Sequence, residues 1–174
     1  MKREINLWDY AGKILEQTGK GVLVTAKADS KVNPMTIGWG TLGIQWGKPI
    51  YTVFIRESRF TKKLLDANPE FTINVPLDNS CKEILGVCGT KSGRDMDKVE
   101  HLGLTLEEPK EISVPGIREL PLTLECKVIY KQDQDPNAIA RENLEKYYTQ
   151  GTVNENDFHT AYYGQVVAAY IIED

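Results

Sequence analysis

Cysteine and histidine are scarce in this chain, with three cysteines and two histidines among 174 residues, and that scarcity removes several chemistries at once. Cys81, Cys88 and Cys126 are odd in number and form no CxxC pair, and no histidine stands at zinc-ligand spacing from them. A disulfide framework and a structural zinc site are therefore excluded, and a reducing, cytoplasmic setting is expected. Cys81 and Cys88, seven apart on an expected helix, read as small buried hydrophobes. Two histidines, with no nucleophile placed beside a base, leave little for side-chain acid-base catalysis. Long apolar runs are missing too. The longest, 166–172, is far too short to span a bilayer, and the polar start after Met1 carries no export signal, so no membrane association is expected. An excess of positive charge is also lacking: 21 Lys and Arg face 25 Asp and Glu, a formal charge of -4, which argues against a nucleic-acid surface.

What is present is enough apolar residue, 41%, for one packed domain over 1–174. Asn6 reads as a helix N-cap, with Leu7, Trp8, Ala11, Ile14 and Leu15 on one face until Gly19 and Gly21 end the pattern. Residues 21–28 read as a strand, 29–31 as its turn and 32–44 as a long returning segment broken by glycine. The turn at 47–49 leads into a β-branched and aromatic strand over 50–56, buried on both faces, so the opening reads as a meander. Ser58 is expected to cap a short helix carrying Phe60, Leu64 and Leu65, ended by Asn68-Pro69 before a strand at 70–75. Ser80 with Glu83 reads as a capping box for the next helix, which ends near Gly89. A polar loop follows to Lys98, with Asp95 and Asp97 as a carboxylate pair expected to stay solvated. Strict alternation from Leu122 to Tyr130 is a clear strand signature, Asp135-Pro136 opens a helix reaching about Tyr148, and 160–172 closes as a strand. Six or so strands, mostly antiparallel, with short helices around them indicate an α+β fold with a closed or partly closed barrel.

Gly38-Trp39-Gly40-Thr41-Leu42-Gly43 matches the dinucleotide-binding G-x-G-x-x-G pattern, but its context does not. That motif needs a helix to start at once, and Ile44-Gln45-Trp46-Gly47-Lys48-Pro49 cannot supply one. The acidic residue expected about 20 positions on is replaced by Lys62 and Lys63. Glycine within a strand marks instead either a close approach to the backbone, as by a flat ligand, or a bend made for packing. Both readings remain open on this segment alone.

The run Arg56-Glu57-Ser58-Arg59-Phe60-Thr61-Lys62-Lys63 gathers hydroxyls and cations where a helix begins, a place whose free N–H groups and dipole favour an anion. Ser58 and Thr61 can donate O–H, and Arg56 or Arg59 a forked contact, to a phosphate. The alternative is an ordinary cap beside a solvated lysine face.

Taken in order, four blocks resemble the flavin reductase-like family of FMN-binding split β-barrels, its flavoredoxin-like members in particular. They are Asn33-Pro34-Met35-Thr36-Ile37-Gly38-Trp39-Gly40, the Arg56–Thr61 segment with the strand Phe71-Thr72-Ile73-Asn74-Val75, Ser92-Gly93-Arg94-Asp95 through Lys98, and the strand after His159. The resemblance implies that residues from Asn33 to Thr41 line the isoalloxazine ring of FMN, Gly38 and Gly40 allowing close approach and Trp39 lying nearby. It implies that Arg56, Ser58, Arg59, Phe60 and Thr61 hold the phosphate, and that the loop from Lys91 folds over the flavin, contributing Ser92, Arg94 or Lys98. A homodimer is implied as well. NADH or NADPH would deliver hydride to the flavin, which would pass electrons to a small molecule or a redox protein. Competing readings are an electron-transfer flavoprotein with little nicotinamide activity and a non-enzymatic split-barrel binding domain. His159 reads as structural or solvated, and Tyr162 and Tyr163 as core or dimer-interface residues.

Overall fold

The structure, a computed structural model, describes residues 1–149 and 151–173. In chain order the elements are β1 (Lys2–Glu4), α1 (Ala11–Lys20), β2 (Val22–Ala28), β3 (Lys31–Ile37), β4 (Gly40–Gln45), β5 (Lys48–Arg56), α2 (Phe60–Ala67), β6 (Glu70–Val75), α3 (Lys82–Thr90), α4 (Lys98–Leu102), β7 (Leu106–Glu107), β8 (Gly116–Ile117), β9 (Leu122–Asp133), α5 (Arg141–Tyr147) and β10 (His159–Ile172). Eight strands form one antiparallel sheet in the order β3-β2-β6-β9-β10-β5-β4, with β1 added along β10, while β7 and β8 pair separately. More strands form than the sequence pattern indicates, because glycine splits the 32–44 segment into β3 and β4 and the short pairs carry no periodicity of their own.

The expected meander is replaced by two hairpins, β2-β3 and β4-β5, set at opposite ends of the strand order. Only Gly38 and Trp39 separate β3 from β4. Two residues reach no further than about 11 Å between the flanking Cα atoms, so the sheet must curl until its ends meet. No ladder joins β3 to β4 among the described residues, and the barrel stays split at that seam. The glycine pattern at 38–43 thus forms a bend and a strand, with no helix after it.

Alternation explains the wall. In β5, Tyr51, Val53 and Ile55 are fully buried in the core, and on the other face Ile50 and Thr52 are buried too, so the strand is covered on both sides as far as Val53; beyond it Phe54 and Arg56 are only half-buried. A Cβ on Gly40 would lie 2.6 Å from the Tyr51 Oη, so glycine at this position makes room for the Tyr51 ring. That hydroxyl pairs with Thr18 Oγ1 at 2.7 Å and ties α1 to the barrel, and burial pushes its pKa up to about 12. Along β10 the register slips between Tyr163 and Gly164, where a side chain on Gly164 would strike Phe71 and Cys126.

Several caps differ from expectation. Asn6 does cap, accepting from the Trp8 N–H, but it opens a 3-10 turn (Leu7–Tyr10) before α1, and Trp8 and Leu15 lie exposed while Ile14 and Thr18 are buried. Arg59, not Ser58, occupies the N-cap of α2, with no side-chain bond to the helix. Ser80 makes no capping box: its N–H and O–H both donate to Asp78 Oδ1, and α3 begins after Cys81. Asp135 caps only a 3-10 turn (Pro136–Ala138), the chain turning extended at Ile139 before α5. All three cysteines are buried and free, their thiol pKa values raised by desolvation. No helix of the described residues is long and apolar enough to cross a membrane.

Candidate functional site

A groove runs along the seam where β3 bends into β4, and three adjoining cavities make it up. The middle one, about 180 Å³, is lined by Met35, Thr36, Ile37, Gly38 and Trp39 from the bend, Phe54 and Arg56 from β5, Arg59, Gly89 and His159. The second, about 110 Å³, shares Met35 and Arg59 and adds Asn33, Ser58, Phe60, Thr61, Cys88, Lys91, Ser92, Gly93, Arg94 and Lys98. The third, about 500 Å³, shares Gly38, Trp39 and Phe54 and reaches Gly40 and Thr41. Every residue expected at the site except Pro34 lines one of them. Pro34 takes part through its backbone, since its carbonyl accepts from Lys98 Nζ at 2.9 Å.

The second cavity concentrates positive charge in a chain that is acidic overall. Lys98 is the decisive member. It is 3% exposed, and its ammonium donates to the carbonyls of Pro34 and Cys88 (3.2 Å) but to no carboxylate. Burial, with a further contribution from Arg59, lowers its pKa. A buried ammonium on two neutral carbonyls keeps most of its charge uncompensated and one N–H free, an arrangement that calls for an anion. The start of α2 adjoins it, and because no side chain caps that helix the N–H groups of Phe60 and Thr61 remain available, while that of Lys62 donates to the Arg59 carbonyl. Arg94 closes the cavity, donating to the Ser58 carbonyl at 2.8 Å with its guanidinium over the Phe60 ring. The loop carrying Arg94 can lie this close only because residue 93 is glycine: a Cβ there would stand 2.1 Å from Asn33 Oδ1 and 2.7 Å from the Phe60 ring.

Some expected donors are already engaged. Ser58 gives its N–H (2.9 Å) and O–H (2.6 Å) to the carboxylate of Asp157. Thr61 is fully buried; its hydroxyl accepts from Asn33 Nδ2 at 3.0 Å and donates to Met35 Sδ at 3.4 Å. Arg56 is a strut, donating to the carbonyls of Asp157 and Tyr147 with its guanidinium over the Tyr148 ring. Asp97 stays exposed, as expected, while it caps α4 through the N–H groups of Val99 and Glu100.

His159 is buried and faces the groove, which rules out the solvated reading. Its Nδ1 lies 2.6 Å from Tyr148 Oη, and its ring is 4.9 Å from that of Trp39. Tyr148 Oη also lies 2.9 Å from Gln134 Oε1, an oxygen that accepts the His159 backbone N–H. The single phenolic proton therefore goes to Gln134, Nδ1 of His159 carries the hydrogen it donates to Tyr148, and Nε2 is left as an acceptor. Burial and the cation of Arg56 lower the histidine pKa to about 4, so the ring is neutral near pH 7. Tyr162 is a core residue whose hydroxyl donates to Asp66 at 2.8 Å, and Tyr163 packs beside Tyr130 away from the groove.

Sequence comparison decides the family, because residues 18–174 match the flavin reductase like domain. The chain belongs to that family. A relative in Archaeoglobus fulgidus, an uncharacterised protein, is 36% identical over 99 residues, which make up 57% of this chain and 55% of that protein, so the chain spans little more than half of that relative's length. Among solved structures, flavoredoxin from Methanosarcina acetivorans superposes with a TM-score of 0.68 at 23% identity, covering 88% of this chain and 68% of the other. An FMN-binding domain of a flavin reductases-like enzyme from Shewanella baltica gives 0.69 at 20% identity, covering 98% and 77%. These likenesses establish the flavin reductase-like split-barrel fold, α+β with an unclosed sheet.

Phe54, Gly89, Gln134, Tyr148 and Asp157 escape the sequence reading of this family site. Phe54 had a signal, since it falls on the same face of β5 as Arg56. Gly89 comes from α3, Tyr148 from the end of α5, Asp157 from the segment before β10 and Gln134 from just past β9, placements that no local pattern reports.

Proposed function

We propose that the chain binds FMN along the middle and second cavities of this groove and works as an FMN-dependent oxidoreductase, with NADH or NADPH as hydride donor. The observation that carries the reading is Lys98, a buried cation with no carboxylate partner, next to an uncapped helix start. Lys98, Arg59 and Arg94 would hold the phosphate with the first N–H groups of α2, while Ser58 and Arg56, bound to the 157 region, set the rim. The bend from Thr36 to Trp39 would flank the ring. A Cβ on Gly38 would meet nothing nearer than the Thr18 carbonyl at 4.0 Å, so its backbone is open to a flat group. Bound FMN supplies hydride and single-electron chemistry. The protein's part is to position it, and the neutral His159 offers a hydrogen-bond acceptor at Nε2 beside Trp39 without adding charge.

Titration with FMN, followed by quenching of flavin fluorescence, tests the reading; absence of saturable binding overturns it. Likeness to a flavoredoxin favours a second version, in which the flavin exchanges electrons with a protein partner and hardly with nicotinamide. Steady-state oxidation of NADH and NADPH with FMN present separates the two. The reading also includes a homodimer in the cytoplasm. Ile44 and Trp46 at the end of β4 are 71% and 59% exposed beside Tyr130, a hydrophobic edge that a second copy would cover; sedimentation at a monomer mass would remove this part.

A further inference from the structure

The cavity on the far side of Trp39 has a different chemistry from the rest of the groove. Among the described residues that line it none is ionisable, whereas arginine or lysine lines both neighbouring cavities. Its apolar walls come from Leu15, Phe54 and Trp39. The indole is held in place, edge-on to Tyr147 with centroids 5.0 Å apart and tilted against His159. The volume, about 500 Å³, falls in the range of small-molecule sites.

One polar group on this wall has a settled orientation. Gln134 Oε1 is occupied by the Tyr148 hydroxyl and the His159 N–H, so its side-chain NH₂ is the end left without a partner. An amide donor between aromatic walls selects an acceptor on a flat molecule. A charged ligand would lose hydration here with no counter-ion to replace it.

We propose that this cavity binds an uncharged planar carbonyl compound, with its ring against Trp39 and Phe54 and its carbonyl oxygen on the Gln134 amide. Assigning the compound as the redox partner of the flavin rests on the function proposed above; its binding does not. A nicotinamide dinucleotide fits the same walls poorly, because its diphosphate finds no cation among them.

Chromone, an uncharged bicyclic ketone, is the probe, and saturation-transfer NMR and calorimetry on the full chain without flavin are the readouts. Two variants interrogate the walls. Gly19→Glu adds a carboxylate at the rim, where a Cβ meets nothing within 4 Å and the residue lies in helix α1, so the fold should tolerate it. Gln134→Glu keeps an oxygen for Tyr148 and His159 and removes the NH₂ donor. Chromone is expected to bind, and each variant to weaken it about fivefold or more, in line with one lost hydrogen bond or one misplaced charge. FMN titration of the same proteins should be unchanged in Gly19→Glu. Lack of chromone binding up to its solubility limit, chromone affinity in both variants unchanged from wild type, or complete displacement of chromone by FMN overturns the proposal. Chromone binding in a chain that fails to bind FMN would leave this cavity standing and remove the flavin reading instead.

Discussion

The two ends of the groove are built on opposite principles. At the α2 end, cations are held on neutral backbone: Lys98 is buried on two carbonyls, Arg94, itself exposed, sits on a third, and Gly93 lets the loop press against Asn33 and Phe60. Beyond Trp39 the wall is neutral and open, and Gly19 and Gly38 have free space where a side chain would be. One end stores unfavourable desolvation that a ligand can relieve; the other offers surface and shape. Stability and binding should therefore be coupled at the charged end and separable at the neutral one.

His159 stands between the two and provides the largest test. Its pKa is about 4 in the folded chain, against about 6.5 when unfolded. Because the folded value is depressed, the unfolded chain takes up the proton first as pH falls. The contribution is present above pH 6.5 and is lost progressively between 6.5 and 4, amounting to about 3 kcal/mol. Urea unfolding of wild type and His159→Gln at pH 7.5 and 4.5 isolates it: wild type should lose more stability than the variant on acidification, and equal losses would show that the ring is not held neutral.

Glycine substitutions compare the ends directly. Gly93→Ala should destabilise by about 2 kcal/mol, because a methyl is forced into Asn33 and Phe60. Gly38→Ala should stay within about 0.5 kcal/mol of wild type, having open space, yet weaken FMN binding if the ring lies on that backbone. Thermal unfolding paired with titration reads both. Similar stability losses in the two variants would break the contrast.

The same contrast sets what was legible from the residues alone. The strands β5 and β9 follow from β-branched content and alternation, and the cation-rich helix start at α2 is legible because helix geometry is local; in the structure it lines one cavity with Lys98. Rejection of the G-x-G-x-x-G pattern holds for the same reason, since the absence of a following helix is a local fact. What escaped is tertiary. Ser58 and Thr61 look like phosphate donors until Asp157 and the Asn33–Met35 pair claim their hydroxyls from residues distant in sequence. The roles of Gly38 and Gly40 diverge only once Tyr51 is seen to fill the space beside Gly40. The meander failed because a two-residue bend can join strands at opposite ends of a curled sheet, a relation no period in the sequence encodes.

Lys98→Met removes the buried ammonium while keeping its length. The loss of charge-assisted contacts to a phosphate should raise the FMN Kd about 10- to 30-fold. Because Pro34 and Cys88 also lose a donor, the variant should be less stable without ligand, so affinity is measured well below its melting temperature. Unchanged FMN affinity would place the phosphate elsewhere.

Asp157 supplies the smallest and most discriminating test. Its carboxylate already takes the N–H and O–H of Ser58 beside the cation cluster, so it both orders the rim and places negative charge where a phosphate would approach. Asp157→Asn keeps a carbonyl oxygen to accept from Ser58 but removes the charge. If repulsion dominates, FMN affinity rises about threefold at low ionic strength and the gain fades with added salt, as expected for a partly exposed charge near a charged ligand. If the carboxylate matters mainly as a clamp, affinity falls at every salt concentration. The salt dependence therefore separates electrostatics from architecture at the charged end, a distinction that the neutral end, with no ionisable lining, should not show.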